Sequence, residues 1–129
     1  MAIVGHGIDL TSVDRIREMV ADHGDRFLDR VFTIAERESA GRQANESKRA
    51  EHLAGRFAAK EAALKALGTG WRDGIAWTDV EILNQPSGAP SLRLHGKASE
   101  IAAGLGAKTF HVSISHAASV ATASVIFES

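Results

Sequence analysis

The feature that most restricts what this chain can become is one unbroken helical stretch, Glu46 to Leu67. It contains no proline, and Gly68 and Gly70 close it in the manner of left-handed C-caps. At roughly 22 residues and about 33 Å it spans a small domain, so the remaining elements must pack around it. Leu53, Phe57, Leu64 and Leu67 form its apolar stripe, at the i, i+4, i+7 spacing of a buried face. Yet Lys60 completes the stripe between Phe57 and Leu64, and Glu61 lies about 100° further round the helix.

Two readings of those charges stand side by side. In one, Lys60 snorkels from the helix edge and Glu61 pairs with Lys65 at i, i+4. In the other, Arg56, Lys60 and Lys65 frame Glu61 near the glycine end, where Ala58, Ala59, Ala62, Ala63 and Ala66 let other backbone approach closely. A carboxylate among three cations suits a divalent metal bound to a phosphate, the carboxylate on the metal and the cations on phosphate oxygens.

The rest of the chain alternates short elements around this helix. "IVGHGIDL" reads as a first strand, followed by a helix with Thr11 as N-cap and Asp14 completing a capping box, running to about Asp22 and stopped near Gly24. A second box, Thr33 to Glu36, opens a short helix that ends at Gly41. After the long helix come the strands "DVEIL" and "PSLRLHG" around the turn "QPSGAP", then a small helix "KASEIAAGLG". "TFHVSISH" and "SVATASVIF" form a final hairpin. Helices in the middle with antiparallel strands at both ends predict an α+β fold, an antiparallel sheet packed on a long central helix plus shorter helices, in one domain over 1–129.

A metal site of that kind needs a second protein oxygen, and Asp9 is the candidate, at the end of the first strand between Ile8 and Leu10 where an unpartnered charge is costly. Taken alone, Asp9 reads as an ordinary cap for the following helix. Gly5 and Gly7 just before it permit close approach of backbone or ligand. Asp14, Asp22, Asp25 and Asp29 fall on polar helix faces or in turns. On the last hairpin Phe110, Val112, Ile114 and His116 share one face, and His111, Ser113 and Ser115 the other. His6, His23, His52 and His95 read as surface residues. No P-loop, G-x-S-x-G elbow or H-E-x-x-H pair occurs.

Composition excludes several classes. A net charge of −1 over 129 residues carries no signature of nucleic-acid binding. The absence of cysteine removes disulfides and thiolate metal sites and fits a reducing compartment. "MAIVGHGIDL" lacks the basic flank of a signal peptide, and no window is long and apolar enough for a membrane span. The expectation is a soluble cytoplasmic protein.

Three segments in this order, "GIDLTSVDRI", "FAAKEAALKALGTG" and "HVSISH", resemble the holo-acyl-carrier-protein synthases, the small single-domain 4'-phosphopantetheinyl transferases. The resemblance covers nearly the whole chain. It implies transfer of the phosphopantetheine arm of coenzyme A to a serine of apo acyl carrier protein, releasing 3',5'-ADP, in support of fatty acid biosynthesis. It further implies that Asp9 and Glu61 hold Mg²⁺, or Mn²⁺ in its place, on the coenzyme A pyrophosphate. Lys60 and Lys65 are then cations for the pyrophosphate or leaving group, and Arg56 contacts the nucleotide phosphates. Gly68 leaves room for ligand, Ser115 and His116 line the coenzyme A site, and the turn ending at Pro90 packs near the adenine. Lys48 and Arg49 are implied partners of the 3'-phosphate. The base for the carrier serine stays open between Glu61 and a water beside the metal.

The resemblance also implies a docking surface for the acidic carrier protein, made of Arg15, Met19, Arg26, Phe27 and Arg30. It implies a homotrimer with active sites at the subunit boundaries. The two tryptophans, Trp71 and Trp77, are expected to pack in the core.

Overall fold

The computed structural model describes residues 1–71 and 74–129. The long helix, α4 (Glu46–Leu67), forms over the predicted span. Asn45 caps it by accepting from the Lys48 N–H, and Gly68 ends it at φ 79°. That left-handed conformation is why a glycine stands there. Around α4 the chain runs β1 (Ile3–Ser12), α1 (Val13–His23), α2 (Asp25–Val31) and α3 (Ile34–Gly41) before it. After it come β2 (Val80–Asn84), β3 (Pro90–Leu94), α5 (Gly96–Gly104), β4 (Thr109–Ala117) and β5 (Val120–Glu128). The strands make a three-stranded antiparallel sheet in the order β1-β5-β4 and a separate β2-β3 hairpin. The α+β expectation holds.

Why β1 lies on α4 follows from four small residues. A Cβ added to Gly7 would stand 1.9 Å from the Ala62 carbonyl oxygen, and one added to Gly5 would stand 2.4 Å from that of Ala66. The glycines foreseen as points of close approach therefore take helix backbone, not ligand. Ala58, Ala59, Ala62 and Ala63 are fully buried under the sheet, with Val125 and Phe127 from β5 packed into the same core. The N-terminal half of α4 enters a second core with Val13, Ile16, Phe27, Val31 and Phe32. The opposite face of the sheet is left open: Ile8 is 58% and Leu10 70% exposed, with Val120 beside them on β5.

Two local expectations change. Thr11 is not the cap of α1. β1 continues through Ser12, pairing Thr11 with Ala121 and Ser12 with Val120, and it is the Ser12 side chain that accepts from the Arg15 N–H. Thr11 instead donates its hydroxyl to the Asp9 carboxylate at 3.0 Å. Second, α2 was not foreseen. It starts directly after Gly24 (φ 52°), has only seven residues and no side-chain cap. Arg37 of α3 ties it down by pairing with Asp25 and Asp29. The final hairpin forms as expected, turning on Ala118 and Ser119, with Ala118 at φ 54°.

Because the β1–α4 contact is backbone against backbone, nothing flexible can yield. Gly7→Ala is expected to destabilise the protein by about 3 kcal/mol or more, read by urea denaturation. A change below about 1 kcal/mol would show that the strand and helix are not locked together.

Candidate active site

The β1–α4 contact sets Asp9 and Glu61 at one mouth. Asp9 is the inward-facing residue two beyond Gly7, and Glu61 immediately precedes the Ala62 against which Gly7 packs. Lys65, one turn further along α4, donates to the Ile8 carbonyl at 2.9 Å and to Asp9 Oδ1 at 3.2 Å. The i, i+4 pairing of Lys65 with Glu61 gives way to a pair with Asp9. Burial, and then the charge of Asp9, push the Glu61 carboxyl up, opposed by the nearby Trp71, Lys65 and Arg15. Two carboxylates thus share a partly buried space with two cations at its edge.

That space is a cavity of about 560 Å³. Asp9, Glu61, Arg15 and Arg30 line it together with the apolar Ile16, Met19, Phe27 and Phe57. Four of the five residues named for carrier docking, Arg15, Met19, Phe27 and Arg30, line it together. Arg26 is exposed and lies outside the lining.

Lys60 answers differently from both sequence readings. It is 0% exposed, and its ammonium sits 2.8 Å from the Glu36 carboxylate, itself 1% exposed. Lys60 also donates to the Trp77 carbonyl at 3.2 Å and to the Val80 carbonyl, and lies over the Phe32 ring. Glu36 spends its remaining capacity on the Thr33 and Ile82 N–H groups, each at 2.8 Å. Burial pulls the Lys60 pKa down and Glu36 pulls it back up. The Lys60 charge is therefore paired inside the fold and not presented at the Glu61 mouth within this chain. Glu36 had been read only as a capping box, which it also completes.

Arg56 also leaves the Glu61 mouth. It is buried, donates to the Asn84 side chain, and has its Nε without a partner. One turn earlier is His52, half-buried and within 3.2 Å of the Ser39 hydroxyl. The contact of Ile114 with Gly55 sets the inner face of β4 over this stretch of α4, and His116 follows two residues on. Burial, and then Arg56, Arg42 and His116 beside it, lower the His52 pKa to about 4, which keeps its ring neutral near pH 7. His52 is thus not a simple surface residue, and only its tertiary neighbours reveal that. On the helix, Arg56 and Lys65 are about 180° apart, so the two charged groups face opposite ways.

The other named residues scatter. Lys48 and Arg49 are exposed at the start of α4, with Lys48 3.5 Å from Glu51. Gly68 is open, with nothing within 4 Å of a Cβ. Pro90 begins β3, and Ser115 and His116 are both exposed near the end of β4, His116 on the face that carries Ile114. Trp71 and Trp77 do pack, as expected, in contact with one another.

The donor set fits a hard divalent ion carried in with a phosphate. No group of three or more His, Cys, Asp or Glu that could hold a metal occurs among the described residues. Asp9 and Glu61 would offer one or two carboxylate ligands, the number Mg²⁺ takes from protein when substrate phosphates and water complete its shell.

Residues 5–123 match the 4'-phosphopantetheinyl transferase superfamily. The chain belongs to that family. It is 48% identical over 126 residues to the holo-[acyl-carrier-protein] synthase of Koribacter versatilis, covering 98% of both chains. The one from Solibacter usitatus is 47% identical with the same coverage. Among solved structures it resembles the Bacillus anthracis holo-(acyl-carrier-protein) synthase in complex with coenzyme A (3',5'-ADP), at 37% identity and a TM-score of 0.81, covering 100% of this chain and 99% of that one. The Helicobacter pylori enzyme in complex with coenzyme A gives 31% and 0.81, covering 95% of this chain and 99% of that one.

Lys60→Met is expected to cost about 3–5 kcal/mol by leaving the Glu36 carboxylate buried and unpaired, and Glu36→Gln in the same chain is expected to restore much of that. Denaturation of both variants checks it; no loss in the single variant would mean Lys60 is not buried as a charge. The second prediction concerns pH. His52 titrates near 6.5 when unfolded and about 4 when folded, so its contribution is complete above 6.5 and is lost as pH falls through about 4. Thermal midpoints from pH 7 to 4 are expected to fall less steeply for His52→Phe than for the parent. Parallel curves would contradict the depressed value.

Proposed function

We infer that this chain transfers the 4'-phosphopantetheine group of coenzyme A to a serine of apo acyl carrier protein, yielding holo carrier protein and 3',5'-ADP. The observation that carries the reading is the Asp9–Glu61 pair with Lys65, set at the mouth of an apolar cavity rimmed by arginines. The carrier serine oxygen forms a bond to the phosphorus bearing the pantetheine arm. The bond from that phosphorus to the bridging oxygen breaks, the serine gives up its proton, and 3',5'-ADP departs.

Asp9 and Glu61 would hold Mg²⁺, or Mn²⁺, which when bound supplies positive charge to the pyrophosphate and the departing phosphate. Lys65 reaches the same space and adds a fixed cation without needing the metal. Ile16, Met19, Phe27 and Phe57 offer an apolar seat for a carrier helix, and Arg15 and Arg30 pair with its acids. Arg26 stands outside this seat.

The same reading has coenzyme A bound between two copies. Arg56 lies about 140° round α4 from Glu61, which supports a homotrimer in which a neighbour supplies it, together with His116, Ser115, Pro90, Lys48 and Arg49. Exposed Ile8, Leu10 and Val120 on the open sheet face give the apolar area such an assembly needs. No helix among the described residues is long and apolar enough to cross a membrane. We place the reaction in the cytoplasm, in service of fatty acid biosynthesis, without nucleic acid or membrane as partner.

Incubation with coenzyme A, Mg²⁺ and apo acyl carrier protein is expected to add one phosphopantetheine to the carrier's intact mass, only with metal present. Glu61→Gln and Asp9→Asn are each expected to slow the gain by at least about a hundredfold, the loss of a few kcal/mol of charge stabilisation. An unchanged carrier mass despite measurable coenzyme A binding would sink the reading.

A further inference from the structure

Trp71 follows directly on the glycines that end α4, and its indole N–H is buried with no hydrogen bond closed. A buried donor without an acceptor is costly, and phenylalanine would fill the same space without that cost. Trp71 is one of the groups that act on the Glu61 carboxyl, favouring its charged form, although its N–H closes no hydrogen bond. What holds the ring there can be followed back through the core. Trp71 leans on Trp77 with centroids 3.6 Å apart, and Trp77 stacks on Phe57 at 5.0 Å. The Trp77 carbonyl is held by the buried Lys60, which is fixed in turn by Glu36. A chain of contacts thus runs from Glu36 through Lys60 and Trp77 to Trp71, ending on a buried donor with no other partner.

We propose that Trp71 is a positioning residue for Glu61: its indole N–H holds that carboxylate turned toward Asp9 across the mouth of the cavity. The proposal deepens the transferase reading, since it assigns a cause to the geometry that reading requires of Glu61. Donors that orient metal-holding carboxylates commonly matter nearly as much as the ligands.

The chain has two tryptophans, so a ¹⁵N-labelled sample shows two indole cross-peaks, assigned with Trp71→Phe and Trp77→Phe. In Glu61→Gln, which keeps the size and removes the charge, the Trp71 proton is expected to move upfield by more than the Trp77 proton does. In Trp71→Phe, which keeps a ring for Trp77 to pack on, Mn²⁺ binding followed by electron paramagnetic resonance in the presence of coenzyme A is expected to weaken about tenfold. Coenzyme A affinity measured without metal should stay within about twofold of the parent in that variant. A Trp71 peak indifferent to Glu61→Gln, or Mn²⁺ affinity unchanged in Trp71→Phe, would overturn the proposal. Should the parent protein bind no Mn²⁺ at all, the metal part of the transferase reading fails, and the indole shift alone decides whether Trp71 holds Glu61.

Discussion

Everything at the Asp9 mouth depends on a strand lying directly on helix backbone. Gly5 and Gly7 bring β1 against Ala62 and Ala66 at distances no side chain could occupy. That contact fixes both the depth of Asp9 and its neighbour across the gap, because Glu61 stands next to Ala62 on the same helix. A looser contact would let the two carboxylates separate and lower their mutual repulsion. It would also lose the divided charge environment that makes the pair a place for a cation. Raised Glu61 and paired Asp9 are thus two consequences of one packing event.

The second support is the buried Lys60–Glu36 pair. Such pairs rarely add net stability, since desolvation offsets the attraction. Here the pair also joins elements far apart in sequence: Lys60 from α4, Glu36 from α3, and the Trp77 and Val80 carbonyls that lead into β2. An apolar replacement could fill the volume but could not fix the carbonyls, and it is through Trp77 that Trp71 is braced. Specific placement, more than stability, is what the charge provides.

Much of this was legible in the sequence. The bounds of α4 followed from its period and the glycines behind it, and the final hairpin from its alternating faces. Asp9, Glu61 and Lys65 could be drawn together because strand-end and helix-face positions are local properties. What stayed hidden depends on tertiary partners. Lys60 and Arg56 are cations on one helix like Lys65, and only the position of Glu36 and Asn84 separates them from it. His52 looks like any surface histidine until α3 and β4 close over it. Helix α2 carries no cap and too few residues for a period to emerge. The Thr11 cap failed because pairing with β5 outweighed a local turn signal, so that the strand simply continued to Ser12.

The proposed assembly would pair Glu61 of one copy with Arg56 of its neighbour, since the two lie about 140° apart on one helix. The most direct measurement mixes Glu61→Gln and Arg56→Gln protein in equal amounts, unfolds and refolds them together, and records carrier modification. If random trimers form with shared sites, about a quarter of the sites regain both residues and activity rises well above that of either parent. Activity equal to the average of the two separate variants would contradict this pairing and place the complete site within one chain.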